Sequence, residues 1–444
     1  MFATARPSGL LALVAVGAYV ILTQTVFWKS EILSIVEDLV VFNMILVGIG
    51  MGGSLPLGKR QARVEFAVIA LLLYTLFAAL LGSLAGNPGR LVIATLHARA
   101  GWFSFWGISG VASAARPQML SSICWLLTSI CIAGSIAWVV LFIGGSDLQG
   151  ASSEFLGITF IRNRLLIVDG TGALPGLAVF ALALYIGVSR DLRQRLRLVL
   201  LAAVTAGLTV AILGAVRNIW VAVALSLIFV ALLSPRTEYS RKLRPLMGLG
   251  IALAAAAFFS LGIVTVKTVF SDAGAGDRIT SQVISLTAPQ KIGSLRSRFD
   301  EVREGVALWE RAPLLGNGLA VERKEGGVFG SHMAIGTILA EMGVVGIILH
   351  GFLVVTVFMR VAETRKIARD SPFLVAATVG FGALCLHTLA RFHLSEGEPW
   401  TMGVFLFYAG LVEASYRVGR MSRQKGAPVP FSVVTSANSR RPGW

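Results

Sequence analysis

Apolar residues recur along this chain in runs the length of a membrane span, and the segments between them are short and basic. Such runs occupy residues 8–27, 33–52, 64–85, 119–145, 173–188, 197–214, 217–233, 245–269, 333–358, 373–391 and 398–416. A helix rises about 1.5 Å per residue, so roughly 20 apolar residues cross the hydrocarbon of a bilayer. The first run, "SGLLALVAVGAYVILTQTVF", has no small-residue cleavage pattern behind it and predicts a retained first helix. One further segment, "LVIATLHARAGWFSFWGISGVASAA" at 91–115, is interrupted by His97 and Arg99, and hydropathy alone does not make it a helix.

Charge decides that segment. The loops "GKRQAR", "SRDLRQRLR", "SPRTEYSRKLR" and "RVAETRKIARD" and the tail "RVGRMSRQKG" are rich in Lys and Arg, and the positive-inside rule assigns them all to the cytoplasm. An even number of crossings must then separate the first two loops, and only three strong runs lie between them. The weak segment supplies the fourth. The expected fold is an all-α polytopic membrane helix bundle of about twelve transmembrane helices, both termini inside. With 55% hydrophobic and 14% charged residues, the composition excludes a water-soluble domain. The net charge of +16 reads as topology and not as a nucleic-acid footprint. Cys124, Cys131 and Cys385 fall inside apolar runs, as small buried hydrophobes and not as a disulfide or metal framework.

This topology leaves two segments on the outer side, 146–172 and 270–332. The second is too long and too charged for a connector. Within it Phe299, Val302, Val306 and Trp309 recur at helical spacing before Pro313 and Gly316, which predicts an amphipathic helix at the outer surface. The chain therefore divides into 1–269 (helices one to nine), 270–332 (a large periplasmic loop), 333–416 (helices ten to twelve) and 417–444 (a cytoplasmic tail). No tandem repeat or low-complexity block interrupts this layout.

Candidate chemistry gathers on the outer side. Arg217 stands at the tight turn between two predicted helices, Arg298 precedes the amphipathic face, Arg164 lies in the other outer segment, and His332 marks the return of the chain into the membrane. Guanidiniums clustered with one imidazole suit bidentate binding of a diphosphate and the handling of a nearby proton. There is no HExxH, no DxD and no Cys/His ligand spacing, so no metal and no other cofactor is expected. Each residue also has a plainer role. Arg217 would then be a helix-end side chain reaching the interface, Arg164 and Arg298 solvated loop arginines, and His332 a helix-start residue without chemistry. Glu341, inside an apolar run, reads best as an internal hydrogen-bonding group that fixes packing. Glu37, Asp38, Arg99, His387, Arg391 and His393 are candidates for pairing or pore lining, more structural than functional.

The order "RFDEVREGVALWERAPLLGNGL … SHMAIGTILAEMGVVG" resembles the O-antigen ligase and O-antigen polymerase (Wzy-like) family of bacterial envelope glycosyltransferases. Their signature runs from a loop Arg through Pro-Leu-Leu-Gly-x-Gly to His, then Glu and two glycines. The resemblance implies a multi-pass protein of the bacterial inner membrane with its active site facing the periplasm. It implies transfer of a glycan from an undecaprenyl-diphosphate carrier to a hydroxyl acceptor, without metal and with inversion. Lipid A core or a growing polysaccharide would be the acceptor, membrane lipids the surroundings, and nucleic acid no partner. Carried over, Arg217 and Arg298 contact the diphosphate, Arg164 assists in binding it, and His332 lies at the reacting centre. Met333 departs from the pattern, since the family often has Asn directly after the histidine.

A lipid diphosphate is already a good leaving group, so the protein must neutralise its developing charge and orient or deprotonate the acceptor. His332 would be general base or positioning donor, and Gly316, Gly318, Gly326, Gly327 and Gly330 would let the loop bend over a bulky substrate. The competing class is a polytopic transporter or flippase for a lipid-linked glycan. It would place its site at mid-depth between related halves; no half-to-half similarity is visible here, and the arginines cluster at one surface. A non-catalytic scaffold subunit would tolerate changes at these arginines and at the histidine. The topology is checked by labelling introduced thiols from outside the cell. Positions near Gly274 and Gly326 should react, those near Arg193 and Lys242 should not, and the reverse pattern removes the outer-site reading.

Overall fold

The computed structural model describes residues 7–24, 31–50, 63–97, 99–114, 116–144, 154–155, 158–159, 170–188, 192–214, 217–234, 293–322, 329–331, 333–394 and 399–424. The helix expected at 245–269, together with Arg164 and His332, lies outside the described residues. Among the described residues the regular structure is helical apart from one two-residue antiparallel ladder in which Glu154 faces Thr159.

In chain order the helices are α1 (Pro7–Gln24), α2 (Glu31–Gly50), α3 (Arg63–Leu84), α4 (Gly89–His97), α5 (Ser104–Ala114), α6 (Arg116–Gly144) and α7 (Gly170–Val188). There follow α8 (Gln194–Gly214), α9 (Arg217–Leu233), α10 (Gly293–Trp309), α11 (Ala334–Ile367), α12 (Pro372–Leu394) and α13 (Pro399–Gln424). Among the described residues five helices are long and apolar enough to cross a membrane: Arg63–Leu84, Gln118–Val140, Gln194–Ile212, Ala334–Ile367 and Pro372–His393. Shorter apolar helices cover Gly9–Ile21, Asp38–Val47, Ala173–Val188 and Ile219–Leu233. The protein is thus a helical membrane protein. The weak segment at 91–115 is helical but broken: α4 and α5 are separated by a 3-10 turn, Ala100–Phe103, with Arg99 at the break.

Helix α12 forms the axis, packed by α7, α9, α11 and α13. Lipid tails are as apolar as leucine, so helices associate here through close packing and not through a difference in hydrophobicity. Glycines supply the closeness. A methyl group on Gly187 of α7 would fall 2.3 Å from Cβ of Ala376, and one on Gly380 of α12 would fall 2.6 Å from the Phe180 ring. Phe180 stacks on Phe381 at 5.1 Å between ring centroids. Outward positions such as Phe66, Leu73 and Leu80 of α3 stay exposed, as apolar residues facing lipid do.

Candidate functional site

Helix α11 is not continuous. At Gly343 the backbone turns to φ 62° and ψ −160°, a conformation nearly confined to glycine. A straight helix would carry Val344 N–H to the Ala340 carbonyl and Val345 N–H to the Glu341 carbonyl; the break frees all four groups. The loop Pro313–Gly318 takes them up in register. Val344 N–H donates to Pro313 O (3.0 Å) and Val345 N–H to Leu314 O (3.2 Å), while Asn317 N–H donates to Ala340 O (2.9 Å) and Gly318 N–H to Glu341 O (3.1 Å). Tyr74 Oη bonds the carbonyls of Leu315 and Met342, both at 3.0 Å. The Asn317 amide donates to Leu308 O (2.8 Å) and Ala340 O (3.0 Å), tying the end of α10 to α11.

This interlock accounts for two of the loop glycines. A methyl on Gly316 (φ 77°) would lie 2.4 Å from the Glu341 carbonyl, and one on Gly318 (φ 82°) 2.0 Å from the Gly82 nitrogen of α3. They allow backbones to touch, which corrects the expectation that they let the loop bend over a substrate. Gly326 and Gly327 lie outside the described residues, and around Gly330 there is open space.

Under the interlock lies a buried ion pair. Arg99, at the break between α4 and α5, places Nη2 2.6 Å from Glu341 Oε2; the two side chains are 6% and 2% exposed. Arg99 Nη1 donates to Thr95 O at 3.1 Å, and the guanidinium stands 5.8 Å from the Trp102 ring centroid. The second Glu341 oxygen accepts the N–H of Ala320 at 3.1 Å. Ala320 sits at φ 59°, a left-handed conformation that costs a non-glycine residue about 1–2 kcal/mol. Glu341 is therefore the internal hydrogen-bonding residue its sequence position suggested, and Arg99 is its partner. Asp38 is likewise paired, with His97. His387 and Arg391 are buried in α12, and the His387 ring lies close against Gly176.

Helix α10 lies across the start of α11, where a methyl on Gly305 would come 2.8 Å from the Gly336 carbonyl. The half-buried Val302, Val306 and Trp309 belong to the predicted amphipathic face, but the face most deeply covered runs through Gly305 and Leu308. Sequence periodicity missed Gly305 because a residue without a side chain carries no hydropathy signal. Ser331 and Met333 flank His332 in a tied turn. Ser331 N–H donates to Thr337 Oγ1 (3.0 Å), Met333 N–H to Ser331 Oγ (3.1 Å), and Ser331 Oγ to Glu301 Oε2 of α10 (3.5 Å). Position 298 precedes Glu301 and Val302 by one helical turn, so α10 brings the backbone of Arg298 to the side where this turn sits. Arg217 opens α9. The side chains of Arg217 and Arg298 lie outside the described atoms.

At the opposite end of α3 and α11 the polar groups are of another kind. Arg360 pairs with Glu413 (2.8 Å) and Glu363 (2.7 Å) and covers the Tyr416 ring at 3.9 Å; Arg417 pairs with Glu65 and Glu413; Arg63 pairs with Glu363. Arg360 and Arg417 were assigned from the sequence to a basic loop and a tail. Helices α11 and α13 in fact run through them to Ile367 and Gln424, because the charges are neutralised between helices. The signal was present as Glu65, Glu363 and Glu413 at matching helix ends.

A multi-pass helical membrane protein, with two interrupted helices joined by an ion pair and a polar helix laid across one end, is the class this fold defines. Residues 201–351 match the family model described as O-antigen ligase. That span reaches from within α8 through α9 and α10 into α11 and includes Arg217, Arg298, His332 and Glu341, supporting the O-antigen ligase and Wzy-like family expected from the motif. No curated protein matches the chain at a significant level.

The interlock predicts that Gly343→Ala, which sets a methyl 2.5 Å from Leu314 O at φ 62°, is destabilising. The expected loss is on the order of 2–4 kcal/mol, read as a lower thermal midpoint in detergent. Gly351→Ala, with nothing within 4 Å, should leave the midpoint unchanged or slightly raised. Equal midpoints for the two variants would mean that the kink is not needed.

Proposed function

We propose that this protein is an O-antigen ligase or polymerase-type membrane glycosyltransferase, as its match to the O-antigen ligase model over residues 201–351 supports, and moves a glycan from an undecaprenyl-diphosphate carrier to a hydroxyl acceptor. The acceptor is lipid A core or a growing polysaccharide. The reaction takes place at the periplasmic face of the bacterial inner membrane, where residues 270–332 form the outer loop. The observation that carries this reading is the family match over 201–351, which spans the arginines and the histidine of the motif. Supporting it, α10 lies against the Ser331–Met333 turn at the end of the bundle away from the Arg360–Glu413 network.

In the proposed reaction the acceptor oxygen attacks the anomeric carbon and the bond from that carbon to the diphosphate oxygen breaks, with inversion. Arg217 and Arg298, with Arg164 from the other outer segment, neutralise the charge that develops on the departing diphosphate. Planar guanidinium forks match adjacent phosphate oxygens two at a time. His332 takes the acceptor proton or holds the hydroxyl in line. The arginines stand in for the divalent ion with which many transferases neutralise a leaving diphosphate.

Interrupted helices are also a feature of transporters, whose freed backbone groups coordinate cargo. Here the four groups freed at Gly343 are all bonded to the Pro313–Gly318 loop, which favours a rigid scaffold for chemistry.

Purified protein supplied with a polyprenyl-diphosphate glycan and an acceptor should form the glycoside in excess chelator. His332→Ala should slow it on the order of a hundredfold or more, if that residue moves the proton. Arg217→Lys should lose most activity while membrane expression stays intact, because an ammonium lacks the bidentate fork. Activity that vanishes with chelator and returns with a divalent ion would overturn the arginine mechanism. Lack of any product in detergent would favour the transporter class.

A further inference from the structure

We propose that Arg99 is a positioning residue for the transfer reaction: acting through Glu341 and Ala320, it holds the base of the loop that returns to His332. This rests on the glycosyltransferase reading above. The path of contacts is continuous. Arg99 is fixed at the α4–α5 break by Thr95 O and lies near Trp102, and its guanidinium holds Glu341 Oε2 at 2.6 Å. The other carboxylate oxygen holds Ala320 N–H at 3.1 Å and so keeps that residue at φ 59°. The next residue, Val321, accepts Phe329 N–H through its carbonyl at 2.7 Å. Val321 and Phe329 are buried with Leu308 of α10 and Ala340 of α11 in a small core of their own. Two residues after Phe329 stands Ser331, the anchor of the His332 turn, tied to Thr337 and Glu301.

The physical need for Arg99 follows from the carboxylate's position. Glu341 Oε2 would otherwise lie buried with no partner, and an unpaired buried polar oxygen is costly and free to reorient away from Ala320. The guanidinium pairs with it and fixes its orientation. The interlock explains how α11 tolerates its kink, whereas the ion pair sets the conformation of the segment leading out of the interlock to the proposed reacting centre. A structural role predicts lost stability alone; a positioning role predicts that turnover depends on the clamp even where stability is restored.

Two variants separate these. The double variant Arg99→Met, Glu341→Leu replaces a buried pair by apolar residues, an exchange often neutral for stability, yet removes the acceptor of Ala320 N–H. Glu341→Gln keeps an acceptor oxygen and removes the charge pair. Each is compared with the parent in thermal midpoint, in hydrogen exchange of peptides covering residues 316–331, and in kcat and KM for glycan transfer. The double variant should keep a midpoint near the parent's, exchange at Ala320 and Phe329 about tenfold faster or more, and lose about tenfold in kcat with KM changed less than about threefold. Glu341→Gln should lower the midpoint, speed exchange at Ala320 and lower kcat, because a Gln amide offers one acceptor oxygen where Arg99 and Ala320 each use one. If the double variant exchanges and turns over at the parent's rates, Arg99 is structural and the proposal falls. If it does not fold, Glu341→Gln decides: faster exchange at Ala320 with reduced kcat supports the clamp, and parental exchange with parental kcat overturns it. A parent that exchanges slowly yet transfers no glycan would count against the glycosyltransferase reading, not against the clamp, which the exchange measurement tests alone.

Discussion

Every backbone amide and carbonyl at membrane depth needs a partner inside the protein, because no water is there to provide one. A helix meets that demand by itself, and a broken helix does not. The break at Gly343 leaves two carbonyls and two amides unpaired, and the Pro313–Gly318 loop is shaped to return two of each. That single exchange fixes much else. It brings the loop down onto α3 at Gly82, sets α10 across the start of α11 through Asn317, and places the Ser331–Met333 turn against Glu301. The Pro-Leu-Leu-Gly-x-Gly and Glu-Met-Gly segments belong together because each supplies the hydrogen-bond partners the other lacks.

Charge is distributed by the same logic. Taking an isolated ion out of water is far more costly than burying a paired one, so among the described residues each well-buried carboxylate meets a guanidinium. At one end Arg360, Arg417 and Arg63 pair with Glu413, Glu65 and Glu363 across α3, α11 and α13. Toward the other end Arg99 and Glu341 join two interrupted helices. Breaking such a pair on one side costs about 3–5 kcal/mol, since the survivor stays buried without its counter-charge. The two pairings thus hold the ends of the bundle in register, while the α12 contacts with α7, built on glycine and alanine, hold its middle.

The proposed chemistry rests on residues apart from the interlock's own backbone contacts. Arg217 opens α9, and Arg298 lies on α10, the polar helix laid across the start of α11. Glu341 shows the opposite case: it sits nine residues beyond His332 in the same motif, yet its carboxylate is spent on Arg99 and Ala320. Motif membership therefore mixes residues proposed to touch substrate with residues that hold the scaffold, as Glu341 does.

By itself the sequence determined that the protein is a helical membrane protein, because apolar runs of span length have no stable alternative in a bilayer. It also carried the family motif and the presence of a helix before Pro313. It could not determine that Arg99 and Glu341 meet, since they lie 242 positions apart and each looked like a flaw in an apolar run. Nor could it show that Arg360 is buried and Arg417 half-buried, because a basic residue at a helix end reads as a loop charge until its carboxylate partner on another helix is known. The purpose of Gly305, Gly316, Gly318 and Gly343 was hidden for a related reason. Hydropathy and periodicity report side chains, whereas these positions act through backbone contacts between distant segments, and only the tertiary structure decides which backbones approach.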